Sequence, residues 1–319
     1  MACNKEVIDA AQETIKKYAV GSCGPRGFYG TMDIHLRLEH ALSAYFDNEA
    51  IIYADYIGCP ASVITAFAKR GDLLLIDEGC HYLITQGAIL SRSNVIWFEH
   101  NNMDALEICL QTVNEQDVKS NRPLNRRFIV SEGIFHNSGD LCKLNKIIEL
   151  KETYKYRLIL DDSHGLGTVH EKGTPGYFNI KHSKVDMYFA GMDKALGSTG
   201  GFCIGNKEIT HHQTLSGAGY VFSASAPPFS CTAAQTALRL LEENGKEYCQ
   251  QVRSNAELMR KLLADDEHHA VARWNTGYNN VMSPLIHLRF NEKVIADDVA
   301  EQYFDSVASK ARQQGVLVH

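Results

Sequence analysis

Arg157-Leu158-Ile159-Leu160-Asp161-Asp162-Ser163-His164-Gly165 is a short apolar run that stops in two acids, a hydroxyl, an imidazole and a glycine. A run of that length and content reads as a buried strand. Asp161 and His164 then stand at its carboxyl end. Similar runs flank it at 50–54, 73–77, 95–99, 127–131, 187–190 and 201–205. Helical patterns lie between many of them, as at 60–69, 103–113 and 144–154. Strands alternating with helices predict an α/β fold, a mostly parallel sheet covered by helices. Ligands bind such sheets outside the carboxyl ends of the strands, so polar residues there are the ones to weigh.

Three positions meet that test. Asp161 can hold a proton on a heteroaromatic nitrogen, and His164 can hydrogen-bond a neighbouring oxygen; the plainer reading is a loop whose acid caps the next helix. Lys194 lies in Gly191-Met192-Asp193-Lys194-Ala195-Leu196-Gly197-Ser198, directly after the strand at 187–190. A lysine between a strand and a glycine-rich turn can form a Schiff base once it loses its proton. Read alone, it is an ordinary solvated lysine. His81, in Glu78-Gly79-Cys80-His81, follows the strand at 73–77 and can stack on a flat ring or simply end a loop. Together, an amine, an acid and a stacking ring are what an electron-sink cofactor needs.

The wider composition narrows the class. The 319 residues are 45% hydrophobic and 22% charged, with a net charge of −6 and no long run of either sign. That suits a large buried core, and nucleic acid is not an expected partner. Nine scattered cysteines without a C-x-x-C favour a reducing compartment over a disulfide framework, and no metal site is expected. No stretch approaches the ~20 apolar residues of a membrane helix, and 1–5 lack the features of a signal peptide. A helix already under way near Val7 and an ending in Gly-Val-Leu-Val-His suggest a piece of a longer chain. Pro227-Pro228 is the clearest break in the second half, with long amphipathic helices and a strand-like 283–290 beyond it.

Longer segments carry a resemblance. Gly21-Ser22-Cys23-Gly24-Pro25-Arg26-Gly27-Phe28-Tyr29-Gly30-Thr31, then Asp33-Ile34-His35-Leu36, and Leu215-Ser216-Gly217-Ala218-Gly219-Tyr220-Val221-Phe222-Ser223-Ala224-Ser225 before Pro227-Pro228 are the distinctive ones. From about 7 to 290 the chain resembles the α-oxoamine synthases, fold-type-I pyridoxal-phosphate enzymes that condense an amino acid with an acyl-CoA and release carbon dioxide. Within that family it is most similar to the long-chain-base subunit 1 branch of serine palmitoyltransferase. The resemblance implies pyridoxal 5'-phosphate as cofactor, with Lys194 as imine lysine and Asp161 on the pyridinium nitrogen. It places His164 near the ring's phenolic oxygen and His81 on the ring face. It implies L-serine and a long-chain acyl-CoA as substrates in the first step of sphingolipid synthesis. It also implies a heterodimer with a related catalytic subunit, attached to the cytosolic face of the endoplasmic reticulum membrane through regions outside this chain. The expected organisation is an N-terminal segment 1–30, a large cofactor-binding domain 31–228 and the start of a smaller C-terminal domain 229–319.

The sequence also departs from the family. The non-catalytic subunit 1 typically lacks the lysine and the stacking histidine, and this chain has both. Catalytic members carry a hydroxyl residue where this chain has Gly191, and a serine where it has His136. They also place a glycine after the strand at 50–54, where backbone N–H groups cradle phosphate. Here Asp55-Tyr56-Ile57-Gly58-Cys59-Pro60 puts Tyr56 at that position beside an acid expected to repel phosphate. Two other readings stay open: an inert scaffold for a catalytic partner, and a soluble glycine or alanine acyltransferase.

Overall fold

The structure, a computed structural model, describes residues 1–120, 125–264, 273–274, 283–289 and 297–315. In chain order the elements are α1 (Lys5–Tyr18), α2 (Asp33–Phe46), β1 (Glu49–Tyr53), α3 (Gly58–Phe67), β2 (Leu73–Asp77), α4 (Tyr82–Ser91), β3 (Asn94–Phe98), α5 (Met103–Ser120), β4 (Arg127–Glu132) and α6 (Leu144–Tyr154). There follow β5 (Arg157–Asp161), α7 (Gly173–Tyr177), β6 (Met187–Gly191), β7 (Gly201–Gly205), α8 (Lys207–Ser216), α9 (Ala218–Val221), α10 (Pro228–Ala264), β8 (Arg273–Trp274), β9 (Leu288–Arg289) and α11 (Asp297–Gln313). All seven expected strands form, with ends moved by at most one residue. Among the described residues of the strand-like stretch 283–290, Leu288–Arg289 pairs with Arg273–Trp274, and Pro284 earlier in it has no N–H to give; Phe290 lies outside the described residues.

β1 to β7 form one sheet in the order β1-β7-β6-β5-β4-β2-β3. β7 runs antiparallel to both its neighbours, and the remaining pairings are parallel. Six strands therefore end at one edge, which gathers Tyr53, Asp77, Glu132, Asp161 and Gly191. The interior strands are apolar along their middles, as in strands covered on both faces; Leu74, Leu75, Ile76, Ile129 and Ile159 are fully buried.

The segment 21–31 is built around close backbone contacts. A Cβ at Gly30 would sit 1.8 Å from the Gly24 carbonyl oxygen, so only glycine fits there. Arg26, 6% exposed, grips Glu39 with two hydrogen bonds of 3.0 and 2.7 Å. The Ser225 backbone N–H donates to the Gly24 carbonyl (2.8 Å), and the Ser225 hydroxyl meets the Gly30 carbonyl. Segments 21–31 and 215–228 thus form one patch, with Phe28, Tyr29 and Phe222 exposed on it. α10 starts at Pro228, where a missing N–H costs nothing, and runs 37 residues along α1 and α2. Its first turn also holds the loop after β6, through a 2.7 Å bond from the Ser198 hydroxyl to the Ser230 carbonyl.

Below the edge, His100 sits between two buried acids, 2.7 Å from Asp77 and 2.9 Å from Asp140. Its pairing with both acids raises its pKa above the usual value despite burial. The ring joins the ends of β2 and β3 to the loop after β4.

Candidate active site

Asp161 is the last residue of β5 rather than the first beyond it, and it is buried. One carboxylate oxygen accepts from the Ser163 backbone N–H (3.0 Å) and hydroxyl (2.6 Å). The Ser163 hydroxyl in turn accepts from the Gly191 N–H at 2.8 Å, tying β5 to β6. The other oxygen of Asp161 accepts a 2.5 Å bond from the Tyr56 hydroxyl. Burial raises the Asp161 carboxyl, while the donors at Ser163 and Tyr56 oppose it. The next acid points elsewhere: Asp162 is buried against Thr174, accepting from its N–H (2.7 Å) and its hydroxyl (2.5 Å).

His81 caps the N-terminus of α4. Buried Glu132, at the end of β4, accepts from the backbone N–H groups of both His81 and His136, the latter at 2.8 Å. It thereby locks two loops together. His136 Nδ1 lies 2.9 Å from His164 Nε2, and the His81 and His136 ring centroids are 4.4 Å apart. Lys194 pairs with Asp193 at 2.8 Å and lies on the rim of a cavity of about 630 Å³. His164 lies on the same wall, and Leu241, Tyr248 and Leu285 supply apolar lining. Three of the four expected residues, His81, His164 and Lys194, therefore share one electrostatic neighbourhood, centred on His136. Asp161 is joined to Ser163 and Tyr56 instead.

Burial, reinforced by the charges of His136 and Lys194, pushes both His81 and His164 down to about 4. Burial also lowers His136. The folded protein therefore keeps His81 and His164 neutral at pH values where the unfolded chain, with histidine near 6.5, takes up protons. Their contribution to stability is present above about pH 6.5 and is lost as pH falls toward 4. An NMR titration is expected to find His81 and His164 neutral at pH 5.5. Titration of His164 near 6.5 would contradict this environment.

In the turn after β1, the Asp55 carboxylate accepts the N–H of Gly58, the first residue of α3, at 2.5 Å. Pro60, third in α3, belongs to the first turn, where no intrahelical donor is needed. Tyr56 turns inward over Gly191, where a Cβ would lie 3.1 Å from its ring and 2.4 Å from an Asp193 oxygen.

The model of the aminotransferase class I and II family matches residues 2–309. The chain belongs to that family. Among its relatives, it is 39% identical over 289 residues to long chain base biosynthesis protein 1b of Oryza sativa subsp. japonica, covering 90% of this chain and 58% of that protein. It is 40% identical over 246 residues to serine palmitoyltransferase 1 of Dictyostelium discoideum, covering 76% of this chain and 51% of that protein. The chain spans about half the length of the curated relatives it matches. Among solved structures, a serine palmitoyltransferase from S. paucimobilis bound to PLP and myriocin superposes with a TM-score of 0.78 at 22% identity, over 88% of this chain and 68% of that one. The enzyme from Sphingomonas wittichii gives 0.77 at 22% identity, over 99% and 86%. The fold is therefore the fold-type-I pyridoxal-phosphate transferase fold, and pyridoxal phosphate is the cofactor of this family.

Sequence reasoning left Glu132, Ser163 and Asp193 unassigned. Glu132 had a signal: it ends β4 as Asp161 ends β5, and the two are register partners.

Proposed function

We propose that this chain is a subunit of a serine palmitoyltransferase, condensing L-serine with a long-chain acyl-CoA in the first step of sphingolipid synthesis. The observation that carries it is Lys194 on the rim of an apolar cavity beside His164 and His136, on this fold. Lys194, His81 and His164 supply the amine and the two rings that the cofactor would use, which supports the reading; at Asp161 the Tyr56 hydroxyl already stands. Pyridoxal phosphate, when bound, supplies an electron sink for charge developing at the α-carbon of the amino acid. His81 would cover a ring face and Asp161 would keep the ring nitrogen protonated. His164 would hydrogen-bond the ring oxygen. Lys194 would anchor the group and, when released, move a proton at the substrate α-carbon. Leu241, Tyr248 and Leu285 offer the acyl chain an apolar wall.

The joined segments 21–31 and 215–228, with Phe28, Tyr29 and Phe222 outward, support a partner there, and we take it to be a related catalytic subunit. Among the described residues no helix is long and apolar enough to cross a membrane. Attachment to the endoplasmic reticulum would rest on residues outside this chain. Co-expressing the full-length protein with a related subunit and assaying serine with palmitoyl-CoA tests the proposal. Condensation should need both chains, and activity unchanged when this one is omitted would refute it. The Tyr56–Asp161 bond favours a second reading, in which this chain only scaffolds its partner.

A further inference from the structure

The turn Asp55-Tyr56 places two side chains where a flat phosphorylated ligand would need its own groups. α3 opens directly after β1, and a helix N-terminus attracts an anion. Asp55 already supplies one, at 2.5 Å from the Gly58 N–H. The next residue supplies a hydroxyl to Asp161, the only carboxylate expected to hold a ring nitrogen, also at 2.5 Å. The path between them is cleared by glycine. From β1 to β5 the sheet edge passes Gly201 on β7 and Gly191 on β6. A Cβ at Gly201 would strike Cys59 at 2.9 Å, and one at Gly191 would meet the Tyr56 ring at 3.1 Å. The 55–59 turn therefore lies down over these two glycines to reach Asp161. Gly191 and Tyr56 fit each other, since a side chain at 191 would press on the ring at 3.1 Å and on an Asp193 oxygen at 2.4 Å. Burial and the charge of Asp161 also raise the Tyr56 phenol well above its ordinary value, so it stays a donor.

We propose that Asp55 and Tyr56 stand in for the phosphate and the ring nitrogen of pyridoxal phosphate, so that the cofactor enters this chain only by displacing the chain's own side chains. This rests on the cofactor reading given above. The apparent affinity is then the intrinsic one reduced by the fraction of molecules with Tyr56 swung out. The test is equilibrium titration of the full-length chain with pyridoxal phosphate, followed by absorbance, with circular dichroism confirming the fold of each variant. Tyr56→Gly is expected to tighten binding at least tenfold. Tyr56→Phe, which keeps the ring and loses its bond to Asp161, should tighten it by less. Adding Asp55→Ser to Tyr56→Gly should tighten it further. Without cofactor, Tyr56→Gly should melt below wild type, and pyridoxal phosphate should recover the difference. If Tyr56→Gly does not fold, Tyr56→Phe decides by the same measure. Equal, measurable affinity in wild type and the folded Tyr56 variants overturns the competition and leaves the cofactor reading standing. No binding by wild type or any folded variant overturns both.

Discussion

Lys194→Ala is expected to abolish borohydride fixation of pyridoxal phosphate at this position and to lower condensation by this subunit at least 10²–10⁴-fold, the loss of a positioned proton-transfer group alone. The loss is separable from unfolding. Lys194 is about 41% exposed and its ion pair with Asp193 lies near the surface, so removing it costs roughly 0–1 kcal/mol. Stability should hold while chemistry fails. Peptide mapping after reduction, with saturating cofactor, reads the first effect; turnover of the assembled complex reads the second. Wild type that fixes no cofactor at Lys194, in a complex whose Lys194→Ala form turns over normally, would hand the result to the scaffold reading.

Asp162→Ala should instead destabilise the fold without touching the cofactor groups directly. Its carboxyl is fully buried and fixes Thr174 at the start of α7 through two bonds. It also sits in a cage of glycines: a Cβ at Gly133, Gly165 or Gly173 would lie 2.0 Å from one of its oxygens. Alanine leaves a cavity and an unsatisfied Thr174 N–H. The expected loss is about 2–4 kcal/mol, read by chemical denaturation. A change within about 0.5 kcal/mol, the range of an ordinary surface substitution, would refute the structural role. Gly165→Ala should act in the same direction, because its new Cβ and the carboxyl cannot share the space. Burial pushes the Asp162 carboxyl up to about 7. The folded state therefore keeps a proton that the unfolded chain releases near 4, and this contribution is lost as pH rises through 7.

These two adjacent acids mark how far the sequence can be read. Apolar runs such as Leu73-Leu74-Leu75-Ile76 announce buried parallel strands, and the first acid after each run marks the edge where ligands collect. That much placed β2, β5 and β6, and with them His81, Asp161 and Lys194. The runs do not say which of Asp161 and Asp162 faces the site. Strand alternation puts neighbours on opposite faces, so choosing between them needs the register with β4 and β6. Nor could the pattern bring Tyr56 to Asp161, 105 positions away, because that meeting depends on β7 and β6 lying between β1 and β5. The same gap hid what holds Asp55 in place: its carboxylate accepts the Gly58 N–H at the start of α3.

Considered as a mechanical part, α10 is a stiff beam about 55 Å long at 1.5 Å per residue. Its near end is clamped to the Lys194 loop through Ser198 and follows directly on the patch formed by Ser225 with Gly24 and Gly30. About 20 Å along, its Leu241 forms cavity wall, and Tyr248 follows two turns later. A beam cannot yield at one point and keep its line at another. One helix therefore joins the patch of exposed aromatics at its root, the loop that carries the lysine and the wall of the cleft.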